Sequence, residues 1–308
     1  MTTPIIGIVG PTASGKTDLA LALAERMPVE IVVADSRQVY RGMDVGTAKP
    51  GAVARASVPH HLLDLVDPDE PFTVAHWVAR ARELIPAIGE RGNLPMIVGG
   101  TGLYMSALLD GHDYAVQPWS AEVRQRLTDA LEAEGLDALI ERLRSIDPLA
   151  ATHLDLRNPR RVLRALERAE AGGGAVDPHA DPYPGRMALI GLSRPREVLY
   201  QRIDDRAERI FAGGLLPEVA TLLGRGYAPQ LRPLTSHGYA EAARHLAGEW
   251  SLDQAIDATA RRTRQYAKRQ LTWFRRDPRI MWLPAATLPA NEPSLVADAE
   301  RLVRSALA

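Results

Sequence analysis

Two rhythms of hydrophobic and polar positions run along the chain. Short, unbroken apolar runs occur at 5–9 (IIGIV), 30–35 (EIVVAD), 95–100 (PMIVGG) and 187–192 (MALIGL). Such runs predict strands buried on both faces, the kind a parallel sheet contains. Between them, apolar positions return every three to four residues at 17–26, 72–92 and 101–111, which predicts helices. Pro86 is expected to kink or end the second of these. Strands and helices that alternate in this way predict an α/β core around a parallel sheet.

The rhythm changes near Trp119. Residues 120–154 and 161–171 carry only the helical period and no strand candidate. A Gly/Pro/Asp-rich loop follows at 172–185 (GGGAVDPHADPYPG). The simplest organisation is an all-helical insertion over 118–183 in an α/β core made of 1–117 and 184–308. Helical spacing dominates again from 195 to 275, residues 279–283 (RIMWL) read as a last strand, and the tail from Glu292 reads as a last helix. No internal repeat is evident.

Composition narrows the function classes. In 308 residues there is no Cys, so disulfides, a thiolate nucleophile and Cys-based metal sites are excluded. No apolar run approaches the length of a membrane span, and the opening MTTPIIGIVG has no basic leader, so the expectation is a cytoplasmic protein without a membrane partner. Nothing resembles a heptad seam, which makes a monomer the default. The formal net charge is −1, but 157–168 and 261–276 are dense in Arg and Lys. A polyanion responds to such local clusters over roughly a Debye length.

The strongest chemical signal is GPTASGKT, Gly10, Pro11, Thr12, Ala13, Ser14, Gly15, Lys16 and Thr17, set between a predicted strand and a predicted helix. It matches a phosphate-binding P-loop at every fixed position. The glycines let successive amides turn inward, the helix offers its positive end, Lys16 adds a charge, and the Thr17 hydroxyl is a ligand for Mg²⁺. A small-molecule kinase using ATP is one reading of this loop. Two features weaken it: the second strand ends in Asp35, and the third ends in glycines and Thr101, where a nucleotide hydrolase would carry an Asp. A carboxylate at a strand tip beside a phosphate cradle suits a general base acting on a second substrate. The residues alone leave open a plain turn or helix-cap role for Asp35.

GPTASGKT, ADSRQVYRGMDVGTAKP (34–50), PHHLLDLVDPDEPFTVAHW (59–77), GGTGLYMSALLDG (99–111), NPRRVLRALE (158–167) and TRQYAKRQLTWFRRDPRIMWL (263–283) follow one another in this order. Together they resemble the bacterial tRNA dimethylallyltransferase family, also called tRNA isopentenyltransferase, over most of the chain. The resemblance implies a P-loop NTPase-like core. It also implies transfer of a dimethylallyl group from dimethylallyl diphosphate to N6 of the adenosine immediately 3′ of the anticodon, in tRNAs that read codons beginning with U. Asp35 would then be the general base, with Thr101 beside the reacting centre, and Mg²⁺ the cofactor. The resemblance assigns tRNA contacts to Asp35, Ser36, Arg37, Gln38 and Thr101, to Arg160, Arg161, Val162, Leu163 and Arg164, and to Arg124. The insertion would contact the anticodon arm. A target base held in a stacked loop is expected to flip out.

In 261–276 the spacing places Arg261, Arg264, Lys268 and Arg275 near one side of a helix, read as a phosphate-facing stripe, with Tyr266 and Trp273 expected to pack on the core. His60 and His61 are read as structural, since no third metal ligand is evident. Two segments depart from the family pattern: His237 stands where an aliphatic residue is expected before a Gly-Tyr pair, and the 172–185 loop is unlike its counterpart.

Overall fold

A computed structural model describes residues 2–111, 120–171 and 182–308. They form two compact units, one of residues up to 108 with 184–308, the other 109–183.

The first unit opens with β1 (Ile5–Val9), the glycine loop and α1 (Lys16–Ala24). Then come β2 (Val29–Val33), α2 (Ala52–Ser57), β3 (His60–His61), α3 (Val74–Glu90), β4 (Leu94–Gly99) and α4 (Gly102–Leu109). The second unit holds α5 (Ala121–Ile146), α6 (Pro148–His153) and α7 (Pro159–Glu170). The chain returns as β5 (Met187–Ser193) and α8 (Arg196–Ile210), which runs through a π-helical turn at Phe211–Leu215 into α9 (Leu216–Gly224). It closes with α10 (Tyr239–Leu246), α11 (Leu252–Phe274), β6 (Ile280–Pro284) and α12 (Pro293–Leu307).

All six strands are parallel, in the order β3-β2-β4-β1-β5-β6. The strand order reverses beside β1, so the glycine loop leaves the sheet where a crevice opens at the strand tips. Every residue of β1 and β2 is buried, as their continuous apolar sequence requires, except that β2 carries Glu30. That carboxylate is held by Arg91 (2.7 and 2.8 Å), Asn93 (2.9 Å) and His61 Nε2 (2.6 Å). These bonds, the one to Arg91 above all, hold the Glu30 carboxyl down at about 2 against the opposing effect of burial. His61 thus serves the sheet edge. The two histidines form β3, a strand too short to show any alternation in the sequence.

Pro86 does not end α3, which continues to Glu90. The helix buries Trp77, Ala81, Ile85 and Ile88 on the sheet, and this packing outweighs the loss of one backbone hydrogen bond. Its N-terminus is fixed by a capping box between Thr73 and His76.

In the helical unit α5 is broken at Gly135, whose φ of 83° suits glycine. Leu127, Leu139 and Leu143 on either side of the break pack with Val162, Leu163, Ala165 and Leu166 of α7. Asn158 caps α7 by accepting from Arg160 N at 3.1 Å, and Pro159 starts the helix. Most of the 172–185 loop lies outside the described residues.

Candidate active site

The glycine loop curls because Gly10 (φ 145°) and Gly15 (φ 102°) adopt backbone conformations closed to most side chains. Space excludes larger residues as well: a Cβ on Gly10 would stand 2.7 Å from Leu192 O, and one on Gly15 2.5 Å from Ala290 Cβ. The loop is propped from three directions. Arg194 Nε donates to Ser14 O at 2.7 Å while its Nη1 reaches Ala286 O and Leu288 O. Arg202 Nε donates to Ala13 O at 2.9 Å, and Thr12 N donates to Gln270 Oε1 at 2.8 Å. Behind the loop, β1 and α8 supply the rigid scaffold.

A cavity of about 430 Å³ opens in front of the loop. One wall is cationic, with Lys16 at the start of α1 and Arg202, Arg206 and Arg209 at positions i, i+4 and i+7 of α8. Lys16 Nζ donates to Pro11 O at 2.7 Å. Burial, partly opposed by the nearby Asp35 and reinforced by Arg206, brings the Lys16 ammonium down to about 8. Burial also lowers Arg206, which Asp35 partly restores. Thr17 lines the cavity with its side chain exposed there. Ile31, Val33, Val98 and Ile210 give the cavity an apolar side.

Asp35 lies two residues past the end of β2 and lines this cavity. Its Oδ1 accepts from Arg37 N at 2.8 Å and Gln38 N at 3.4 Å, so it does cap the turn that follows. No described residue donates to Oδ2 in a hydrogen bond. The turn role left open by the sequence is therefore met by Oδ1 alone, and Oδ2 has no hydrogen-bond donor among the described residues. Thr101 stands beside it. Ser36 N donates to Thr101 Oγ1 at 3.1 Å, Thr101 N donates to Ala34 O at 3.3 Å, and the Thr101 side chain stands beside the Tyr266 phenol, whose ionised form it favours. Burial, and next the Asp35 charge, push Tyr266 up to about 12, which keeps it a neutral phenol. The approach of β4 to β2 is close: a Cβ on Gly99 would stand 2.0 Å from Ala34 O. Only glycine permits the two strand tips, and hence Asp35 and Thr101, to meet.

The remaining predicted residues divide. Arg37 lies half-buried near Arg232, Tyr40, Asp35 and Tyr266, and burial lowers its ionisation first of all. Gln38 lines the cavity but spends its amide on Thr47 O at 3.1 Å. Arg160 and Arg161 are exposed on α7. Arg164 and Arg124 both hold the buried Glu167, at 3.1 and 2.9 Å. Val162 and Leu163 are 0 % and 6 % exposed, so their side chains belong to the core of the helical unit and offer almost no surface for a nucleic-acid contact. They fall inside a basic run because a helix presents cations and core residues on alternate faces.

The proposed stripe on α11 also changes. Arg264 is bound to Asp204 and packs over Tyr200, which draws it into the α8–α11 contact, while Arg275 lies just past the helix end. Tyr266 lines the cavity, and Trp273 is 41 % exposed, its Nε1 donating to Ser106 Oγ at 3.2 Å. Neither is a core residue. His237 stands against Tyr266, with ring centroids 4.9 Å apart; burial and then Arg262, Arg37 and other arginines bring it down to about 4, so it is neutral. Sequence reasoning missed Arg202, Arg206, Arg209 and Gln270. The α8 arginines had a legible i, i+4, i+7 spacing, but in a helix crowded with charge this spacing looks like an ordinary solvated face.

The family model described as IPP transferase matches residues 38–277, and that described as Isopentenyl transferase matches 3–57. The chain is 48% identical over 288 residues to the tRNA dimethylallyltransferase of Syntrophobacter fumaroxidans, covering 92% of this chain and 84% of that one. It is 45% identical over 303 residues to that of Roseiflexus castenholzii, covering 98% and 97%. Among solved structures it is similar to the full-length tRNA isopentenylpyrophosphate transferase of Bacillus halodurans (TM-score 0.70, 38% identity, 98% of this chain and 99% of that one). It is also similar to a eukaryotic dimethylallyltransferase acting on tRNA (TM-score 0.77, 27% identity, 92% and 74%).

Proposed function

We propose a reaction from one premise: the chain belongs to the IPP transferase family and is a tRNA-modifying prenyltransferase, a tRNA dimethylallyltransferase. The donor is dimethylallyl diphosphate and the acceptor is N6 of the adenosine immediately 3′ of the anticodon, in tRNAs reading codons that begin with U. The observation that carries this reading is the juxtaposition in one cavity of the cationic cradle, an apolar side, and the Asp35–Thr101 pair.

In this account the diphosphate lies on the loop amides at the N-terminus of α1, facing Lys16, Arg202, Arg206 and Arg209. The five-carbon group takes the apolar side formed by Ile31, Val33, Val98 and Ile210. N6 attacks the allylic carbon, the carbon–oxygen bond to diphosphate breaks, and Asp35 Oδ2 receives the proton that N6 loses. The four cations stabilise the charge that develops on the leaving oxygen.

The site also fits Mg²⁺. Among the described residues no group of three His, Cys, Asp or Glu side chains could hold a metal ion, and Thr17 offers a hydroxyl in the cavity. An ion borne mainly by diphosphate oxygens and water, with one hydroxyl from the protein, suits that donor set. When bound, Mg²⁺ would neutralise diphosphate charge. No helix of the described residues is long and apolar enough to cross a membrane. We read the enzyme as a cytoplasmic monomer, tRNA being its only macromolecular partner.

Calorimetry with Mg²⁺ and either dimethylallyl diphosphate or ATP tests the donor. The allylic diphosphate is expected to bind and ATP to be left unhydrolysed with small-molecule acceptors; ATP turnover without allylic diphosphate binding would restore the kinase reading. The Lys16 ammonium sets a pH dependence. Because it sits at about 8, it is mostly charged at pH 7 and mostly neutral at pH 9. Donor affinity should fall about tenfold between those values, and binding near pH 8 should take up a proton. Equal affinities at pH 7 and 9 would remove Lys16 from the cradle.

Arg160 and Arg161 are the exposed cations of α7 that no described acid pairs. Reversing both to Glu should weaken tRNA binding and flatten the plot of log Kd against log salt by about one unit per lost phosphate contact, with donor affinity unchanged. An unaltered salt slope would free α7 from any tRNA role.

A further inference from the structure

α11 buries a stripe of small residues, Ala255, Ala258, Thr259, Thr263 and Ala267, and this stripe then reaches Gln270. A buried amide on such a stripe needs partners for both of its ends. Gln270 has them: Oε1 accepts from Thr12 N at 2.8 Å, and Nε2 donates to Gly100 O at 2.8 Å. Since one partner is an N–H and the other a carbonyl, the orientation of the amide is fixed. The fit is tight, because a Cβ on Gly100 would stand 2.2 Å from Nε2.

The two partners lie on the two halves of the reaction. Thr12 belongs to the glycine loop. Gly100 precedes Thr101, which binds Ser36 N next to Asp35. One helical turn before Gln270, Tyr266 stands beside the side chain of the same Thr101. Thr12 N–H is committed to Gln270, so the amides that remain for phosphate begin at Ala13.

We propose that Gln270 is a positioning residue that sets the spacing between the diphosphate cradle and the turn bearing Asp35 and Thr101. It touches neither reacting atom. Transfer needs N6 and the allylic carbon held within about 3–3.5 Å, and a misplacement of about 1 Å costs roughly a hundredfold in rate. A direct side-chain bridge from one half to the other restricts that distance. The proposal rests on the reaction given above and names the device that aligns it.

The test uses the full chain with Gln270→Asn, which keeps the amide but is one methylene short, and Gln270→Met, which keeps length without hydrogen bonds. Three quantities are read: the affinity for dimethylallyl diphosphate, the single-turnover rate of tRNA labelling, and the diphosphate released per prenylated tRNA. Both variants should lose about a hundredfold in rate, with donor affinity within about threefold of the parent. Diphosphate release should exceed one per prenylated tRNA, because water then competes for the allylic carbon, giving an alcohol, a proton and diphosphate. If donor affinity falls in step with rate while release stays at one, Gln270 only shapes the cradle and the proposal is wrong. Parental kinetics in Gln270→Asn would also overturn it, whether or not Gln270→Met folds. A parent chain that labels no tRNA would instead refute the reaction.

Discussion

Replacing Asp35 by Asn is expected to lower dimethylallyl transfer by about a thousandfold while leaving tRNA and donor binding near their parental values. Asn is chosen because Asp35 does two things. Its Oδ1 accepts from Arg37 N and Gln38 N, and an Asn oxygen does the same, so the turn that carries Ser36, Arg37 and Gln38 survives. What Asn lacks is an oxygen able to take the N6 proton. Asp35→Ala would remove the turn as well and mix the two effects. The Asp35 charge opposes the loss of the Lys16 proton, so its removal lets Lys16 titrate at lower pH; donor binding should therefore be compared below neutral pH. Retention of more than a tenth of the parental rate would show that Asp35 is a turn residue only.

Lys16→Met should lower the rate at subsaturating donor by about a hundredfold to a thousandfold, the range seen when a donor to developing oxyanion charge is removed. The effect should appear in both donor affinity and the rate at saturation, because the leaving oxygen gains charge as the carbon–oxygen bond breaks. The neighbours Arg202, Arg206 and Arg209 remain, so some binding should persist. Affinity for tRNA should be unchanged. Normal donor kinetics with weakened tRNA binding would place Lys16 on the wrong substrate.

Much of the sheet was legible because parallel strands buried on both faces leave continuous apolar runs, as in 5–9, 95–100 and 187–192. β3 was not, since a two-residue edge strand leaves no periodic trace. Pro86 misled because a local rule about proline says nothing of the sheet packing that holds α3 together. The glycine loop and Asp35 were readable, the first from fixed spacing and the second from its place at a strand tip. Gln270 was hidden for the opposite reason: its partners, Thr12 and Gly100, are 258 and 170 residues away, and only the assembled fold brings them together. The role of Arg264 failed similarly, because Asp204, which takes it out of the proposed stripe, lies on another helix. Basic runs show where cations are along the chain; only packing shows which of them remain available.

The proposed reaction requires one cavity to join a diphosphate cradle to a proton acceptor for an adenine amine. The most direct measurement combines the parent chain or Asp35→Asn with Mg²⁺, dimethylallyl diphosphate labelled in its carbon group, and unmodified tRNA bearing adenosine immediately 3′ of the anticodon. Digestion of the tRNA then locates the label. Label is expected on that adenosine with the parent chain and almost none with Asp35→Asn, at equal tRNA binding. Label at the parental rate with Asp35→Asn, or no label from the parent chain, would contradict the proposed reaction.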